Sequence, residues 1–568
     1  IPCARYTLFP AGGPLMGHFF FFVFVTASCL LWSAAWTAAA ARTQRPWLRR
    51  LLEGVAWSAP VAALLPFVAF TAFLAFWKPM PTNWFGPTLA TFLAVSIGVI
   101  WIAWAGLGWR RSGPFSFADQ PVPPAARWPV VGLAAAFVIA KAVSFGTLLI
   151  LDNAVAAQAP YLRLEAGQLM QANIQPVVPD SQNAASLYRQ AFAALDADAA
   201  LKSDESPLTK ATTIDVANPA VTDLLARHAA TLDLIHRAAD RDTCRFQRDW
   251  TRPSIDMLLP ELQSLRAVAR LLALKTRREA ADGNAADALH DVARIQRIGR
   301  HSASEPLLIS NLVGLAIDAM ALETFANVLP TLKTNDLAAL DSSDIRDLVT
   351  TPPAMASHYY GEEAFGLSTF AGMADSRFGV MNALEMFANQ PQRPFLSRIL
   401  PLTLLYRVFF LEADLTGYRS IMHKYQQLAA GSEPYPEVKK KTDAMEKELW
   451  DRSPGMMSSL IVPALGGVVR AQAQDVARQR AATALVAATR QRLETETTPT
   501  TFEELSTKLV PPASRDPFMA DRPLVMKQTD DALLVYSVGP DGEDDGGPVA
   551  PGADKVEGND DVGLRMAL

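Results

Sequence analysis

The pattern of apolar and polar positions changes character near residue 152. Before it, four long apolar stretches alternate with short basic loops; after it, apolar residues recur at helical spacing among charges. The stretches are 16–41, 54–77, 84–109 and 128–151. Each exceeds the roughly 20 apolar residues that a helix needs to cross a hydrocarbon core of ~30 Å. The first three contain no Asp, Glu, Lys or Arg, and Trp77, Trp84, Trp109 and Trp128 stand at their ends. Indole rings favour the headgroup zone, so the pattern predicts four transmembrane helices. A cleaved signal peptide is the rival reading of the first, but no basic segment precedes it. Met16 is the expected start, with residues 1–15 an upstream or fragmentary extension.

Basic loops stay in the cytoplasm. Arg42, Arg45, Arg49 and Arg50 follow the first stretch, and Arg110, Arg111 and Arg127 follow the third, whereas the loop between the second and third holds only Lys78. The expected protein is multi-pass in the cell (inner) membrane, with the N-terminus and everything after the fourth span extracytoplasmic. Lys141 lies inside the fourth span, where a charge costs about 2.5–3.5 kcal/mol on insertion scales. A sensor or transporter centred on Lys141 would need an acidic partner, and the other spans offer none. A lysine that snorkels or faces the bundle interior is the simpler reading.

From 180 to 333 the spacing is helical. Asp180-Ser181 reads as an N-cap before NAASLYRQAFAAL. Residues 256–281 and 285–299 form two periodic runs separated by Gly283-Asn284. Helix, glycine turn and helix resemble a tetratricopeptide-like hairpin, although three copies of a repeat are not found. Residues 305–328 are strongly apolar but carry Glu305, Asp318 and Glu323, which predicts a buried core helix rather than a fifth span. Pro352-Pro353 and Pro391, Pro394 and Pro401 mark breaks. Residues 399–411 are apolar around Arg407 and are expected in a core rather than on the membrane surface. The expected organisation is a transmembrane domain at 1–156, an α-helical soluble domain at 157–453, and a small α+β module at 454–568.

Candidate chemistry is sparse. A formal net charge of −5 argues against a nucleic-acid partner, which needs a basic face. Cys3, Cys29 and Cys244 provide neither a disulfide framework nor a zinc motif. His358 and Glu362 are four apart and share a helix face. An envelope hydrolase or peptidase could use them, but the HExxH pattern is absent, and a lone His–Glu pair is more often a solvated contact. No phosphate loop or nucleophile elbow is present.

The C-terminus carries the most specific signal. A helix expected at 468–494 precedes Pro499, Thr500, Leu505, Asp516-Pro517-Phe518 and Pro523-Leu524. A hairpin is expected around Thr529-Asp530-Asp531. Then come Tyr536-Ser537-Val538-Gly539-Pro540-Asp541-Gly542 and Asn559-Asp560-Asp561-Val562-Gly563. In this order and spacing, residues 475–568 resemble the globular domain of type II secretion major pseudopilins. A pseudopilin begins with one hydrophobic helix that packs into a filament, whereas here the module follows four expected membrane spans and a helical domain. NAASLYRQAF, LLISNLVGLAIDAMALE and the YSVGPDGEDDGG ending also resemble planctomycete-type polytopic membrane proteins, a resemblance that implies no particular activity.

Residues 541–561 hold eight acidic residues and one base. Hard oxygen ligands on a turning loop suit Ca²⁺, which takes about 6–8 oxygens. An EF-hand is not expected, because its bidentate twelfth position would be Gly552. The pseudopilin resemblance implies a structural calcium ion at Asp541 with one or both of Asp560 and Asp561; an unbound acidic loop is the alternative. Together these features lead to an expected non-enzymatic, membrane-anchored scaffold or assembly protein. Its partners would be the lipid bilayer and another protein.

Overall fold

The computed structural model describes residues 44–48 and 150–568, apart from 204–205, 212–213, 254–256, 258, 351–354, 377–405, 409, 432, 453–454, 456–457, 459–464, 506–514, 520–521 and 549–559. Apart from the last residues of the fourth, the expected membrane spans lie outside the described residues, as do Lys141 and the proline breaks. Among the described residues the protein is mainly helical with one small sheet.

Helix α1 is Ala159–Asn173 and α2 is Ala184–Ala197. The N-cap of α2 is Asn183, whose side chain accepts from Ala185 N, and not the expected Asp180-Ser181. Those two residues sit in a preceding turn, where Gln182 N donates to the Pro179 carbonyl. The capping oxygen is therefore supplied three residues later. Helices α3, Pro219–Arg227, and α4, Ala229–Ala239, follow.

The hairpin is formed by α5, Pro260–Ala281, and α6, Ala285–Ala303. Helix α5 starts four residues after the expected position, because Pro260 fits a first helical turn, where its missing N–H costs nothing. Gly283 joins the two helices at φ +89°, a left-handed conformation that side chains rarely adopt. Helix α7, Leu308–Val328, is enclosed on nearly every side. Among the described residues, one helical stretch, Leu308–Thr331, is long and apolar enough to cross a membrane, and 67% of its most apolar window is buried inside the protein. Its buried Ser310, Asn311 and Asp318 belong to a core helix.

Helices α8, Ser343–Thr350, α9, Ala356–Asp375, α10, Leu411–Ala430, and α11, Tyr435–Arg452, follow. Helix α12 spans Leu465–Thr495 and presents Ala477, Ala481, Ala482, Leu485 and Ala488 to the interior. Strands β1, Val525–Gln528, β2, Ala532–Ser537, and β3, Val562–Ala567, make an antiparallel sheet in the order β1-β2-β3. Register pairs Val525 with Tyr536 and Val535 with Leu564. The β1–β2 turn closes where Thr529 N donates to the Ala532 carbonyl at 2.8 Å.

The described chain falls into two compact units. One draws on 1–160, 370–416 and 447–460. In it Arg407, 1% exposed, pairs with Asp152 at 2.7 Å and donates to the Ala374 carbonyl. The described residues at 406–411 thus include the buried Tyr406, Arg407 and Leu411, as expected of a core segment. The other unit draws on 161–369, 417–446 and 461–568. Here one apolar core runs from Ala184 in α2 through α5, α6 and α7 to Leu485 in α12 and Met566 in β3. The C-terminal sheet therefore shares its core with the helical array.

Candidate functional site: the acidic loop beside the C-terminal sheet

Asp516 organises this site. It is 2% exposed, and its Oδ1 accepts from Phe518 N and from Ser537 Oγ, both at 2.7 Å. Its Oδ2 accepts from Val538 N at 3.2 Å. One carboxylate thus joins the Asp-Pro-Phe turn to the end of β2. Gly539, at φ +73°, lies so close to the Asp560 carbonyl that no side chain would fit. This contact brings the two acidic segments together.

The carboxylates then close the loop on its own main chain. Asp541 Oδ1 accepts from Glu543 N at 3.1 Å, and Asp544 Oδ1 accepts from Gly546 N at 3.0 Å and from Tyr536 Oη at 2.9 Å. Asp561 Oδ2 accepts from Gly547 N at 2.7 Å, and Asp560 N donates to Asp545 Oδ2 at 3.3 Å. Burial, together with the charges of Asp544 and Asp545, raises the Asp561 carboxyl above the usual range against the pull of the Gly547 amide. Crowded carboxylates with insufficient counter-charge behave in this way.

Asp560 and Asp561 thus lie against Asp545 and Gly547, while Asp541 is taken up in its own turn. Among the described residues no group of three or more His, Cys, Asp or Glu side chains has the arrangement to hold a metal ion.

The His358–Glu362 pair occupies one face of α9, as the spacing predicts, and both residues are engaged in packing. His358 is 2% exposed, and its Nε2 donates to the Ala303 carbonyl at 2.8 Å. Glu362 is half-buried; burial pushes its carboxyl up to about 7, opposed by a hydrogen bond from the Leu308 amide. A described surface dent, lined by Ala293, Gln296, Arg297, Arg300, Asp344 and Asp347, measures about 20 Å³, room for about one water molecule. It includes neither His358 nor Glu362.

Other histidines also serve the framework. Tyr188 Oη lies 2.9 Å from His301 Nδ1, and His301 Nε2 donates to the Arg241 carbonyl at 2.8 Å. His228 Nε2 meets Asp198 at 3.0 Å. No family model matches this chain, and no match is found among curated proteins or solved structures.

Proposed function

We propose that this chain is a membrane-anchored, non-enzymatic scaffold or assembly protein. On this reading four N-terminal helices hold it in the cell membrane, and the large soluble part presents an extracytoplasmic surface to a protein partner. The observation that carries the proposal is the common core of α7, α12 and β3. A pseudopilin-like end built into a helical array suits a fixed platform better than a subunit that must pack into a filament. The His of the candidate acid–base pair agrees with this: His358 is buried and holds the Ala303 carbonyl.

Calcium at Asp541 with one or both of Asp560 and Asp561 is the second part of the proposal. It is favoured by the crowding of Asp544, Asp545 and Asp561, which a bound cation would relieve. Its role would be to pin the loop to the sheet.

Photo-crosslinking in intact cells, from exposed positions such as Asp233 and Asp530, tests the scaffold. A discrete adduct with one envelope protein is expected, and adducts with lipid or with itself from every position would overturn the reading. Calcium titration of the full chain in detergent tests the loop. A rise in Tm abolished by Asp541→Ala is expected, and an unchanged Tm would remove the calcium assignment.

A further inference from the structure

Asp318 lies midway along α7 and Asp475 lies early in α12, and both are buried, at 7% and 1% exposure. One amide bridges their outer oxygens: Gln479 Nε2 donates to Asp318 Oδ2 at 3.2 Å and to Asp475 Oδ2 at 3.0 Å. The inner oxygens, Oδ1 of each, are buried and take no donor among the described residues. Both Oδ2 atoms lie against the one Gln479 nitrogen, which places the two buried carboxyl groups side by side in the α7–α12 seam. Two ionised carboxylates in that position would repel without solvent to screen them. A single proton between them replaces the repulsion with a charge-assisted O–H···O bond, among the strongest hydrogen bonds in proteins.

We propose that Asp318 and Asp475 share one proton, and that this proton latches the long C-terminal helix α12 onto the central helix α7. The inference is independent of the scaffold reading. The surrounding groups do not supply a substitute. Arg300 of α6 acts on Asp318 and Arg478 of α12 acts on Asp475 through charge rather than contact, and Gln296 of α6 gives its amide to the Leu348 carbonyl. Elements packed on the same helices use their charges elsewhere: Asp344 of α8 pairs with Arg297, and Arg565 of β3 with Asp531.

Burial raises the proton affinity of both carboxyls, and repulsion from Asp318 raises that of Asp475 further. The proton belongs to the pair rather than to either residue. Between the ordinary aspartate pKa near 3.9 and the raised value of the pair, the folded chain holds one proton more than the unfolded chain. The latch is therefore complete at acid pH and weakens as pH rises through the raised value. The released proton passes to solvent and leaves two buried carboxylates across the α7–α12 seam.

Hydrogen exchange of the α12 amides in the full chain, in detergent and corrected for intrinsic rates, tests this. With rising pH the opening constant is expected to increase by up to about tenfold per pH unit, the slope of one proton. Asp475→Asn, whose amide can donate to Asp318 without titrating, is expected to flatten the profile. The same slope in both proteins would overturn the proposal. Infrared spectroscopy gives a second reading in case the variant does not fold. A protonated-carboxyl band is expected at neutral pH; it should survive in Glu305→Gln/Glu362→Gln, which removes the two carboxyls raised to about 7, and weaken in Asp475→Asn. No such band in the wild-type chain at neutral pH would also overturn it.

Discussion

The crossing of α6 and α7 gives a perturbation whose size follows from the coordinates. A Cβ at Gly299 would lie 2.9 Å from the Gly314 carbonyl oxygen, and one at Gly314 would lie 2.8 Å from the Gly299 carbonyl oxygen and 2.9 Å from Ala303 Cβ. The helices meet backbone to backbone, and neither carbonyl can rotate aside. Relieving either contact requires the helices to part by about 0.5 Å, and overpacking of this kind costs about 1–3 kcal/mol. Alanine in a helix gains about 1 kcal/mol over glycine, so Gly299→Ala and Gly314→Ala should each lower stability by about 0–2 kcal/mol. Gly372 in α9 is the control, because a Cβ there meets nothing within 4 Å. Gly372→Ala should therefore stabilise by up to about 1 kcal/mol. Denaturant midpoints of the full chain in detergent measure the difference. If Gly314→Ala stabilises as much as Gly372→Ala, the helices do not cross at these glycines.

Arg248 is faced by Glu261 and Glu305, with all three side chains nearly buried, and its guanidinium lies 5.6 Å from the Trp250 ring centre. Arg248→Ala leaves two uncompensated buried carboxylates and should cost about 3–5 kcal/mol at alkaline pH. Burial raises Glu305 to about 7, so protonation should reduce that cost at pH 5; equal losses at pH 5 and pH 8 would contradict the assignment. Residues 454–568 expressed alone would expose the faces of α12 and β3 that share a core with α7. They should show no cooperative thermal transition, and a sharp one would mean that the C-terminal part folds without the array.

Much of this fold was legible because it is local. Gly283-Asn284 announced the α5–α6 turn, and the acids within 305–328 marked α7 as a core helix although its hydropathy suits a membrane. The hairpin at Thr529-Asp530-Asp531 followed from its turn residues. Strand β3 escaped notice because its alternation begins directly after Asp560-Asp561 and contains Gly563, so it reads as the end of an acidic tail. The α2 cap was misplaced because Asp180, Ser181 and Asn183 are all good cap residues, and only the turn at Pro179 decides among them. The Asp318–Asp475 pair could not be read, since each is one acid on its own helix and only tertiary packing joins them. His358 and Glu362 share a face as expected, but the partner of His358, the Ala303 carbonyl, is a main-chain group that side-chain spacing does not reveal.

The central claim is that a membrane anchor holds a large domain on the outer side. Single cysteines placed at Arg45, in the first basic loop, and at Asp233 and Asp530, both exposed in the soluble part, test it when labelled in intact cells with a membrane-impermeant maleimide. Labelling at 233 and 530 in intact cells, with labelling at 45 only after permeabilisation, is the predicted result. The reverse pattern, or equal labelling of all three in intact cells, would contradict it.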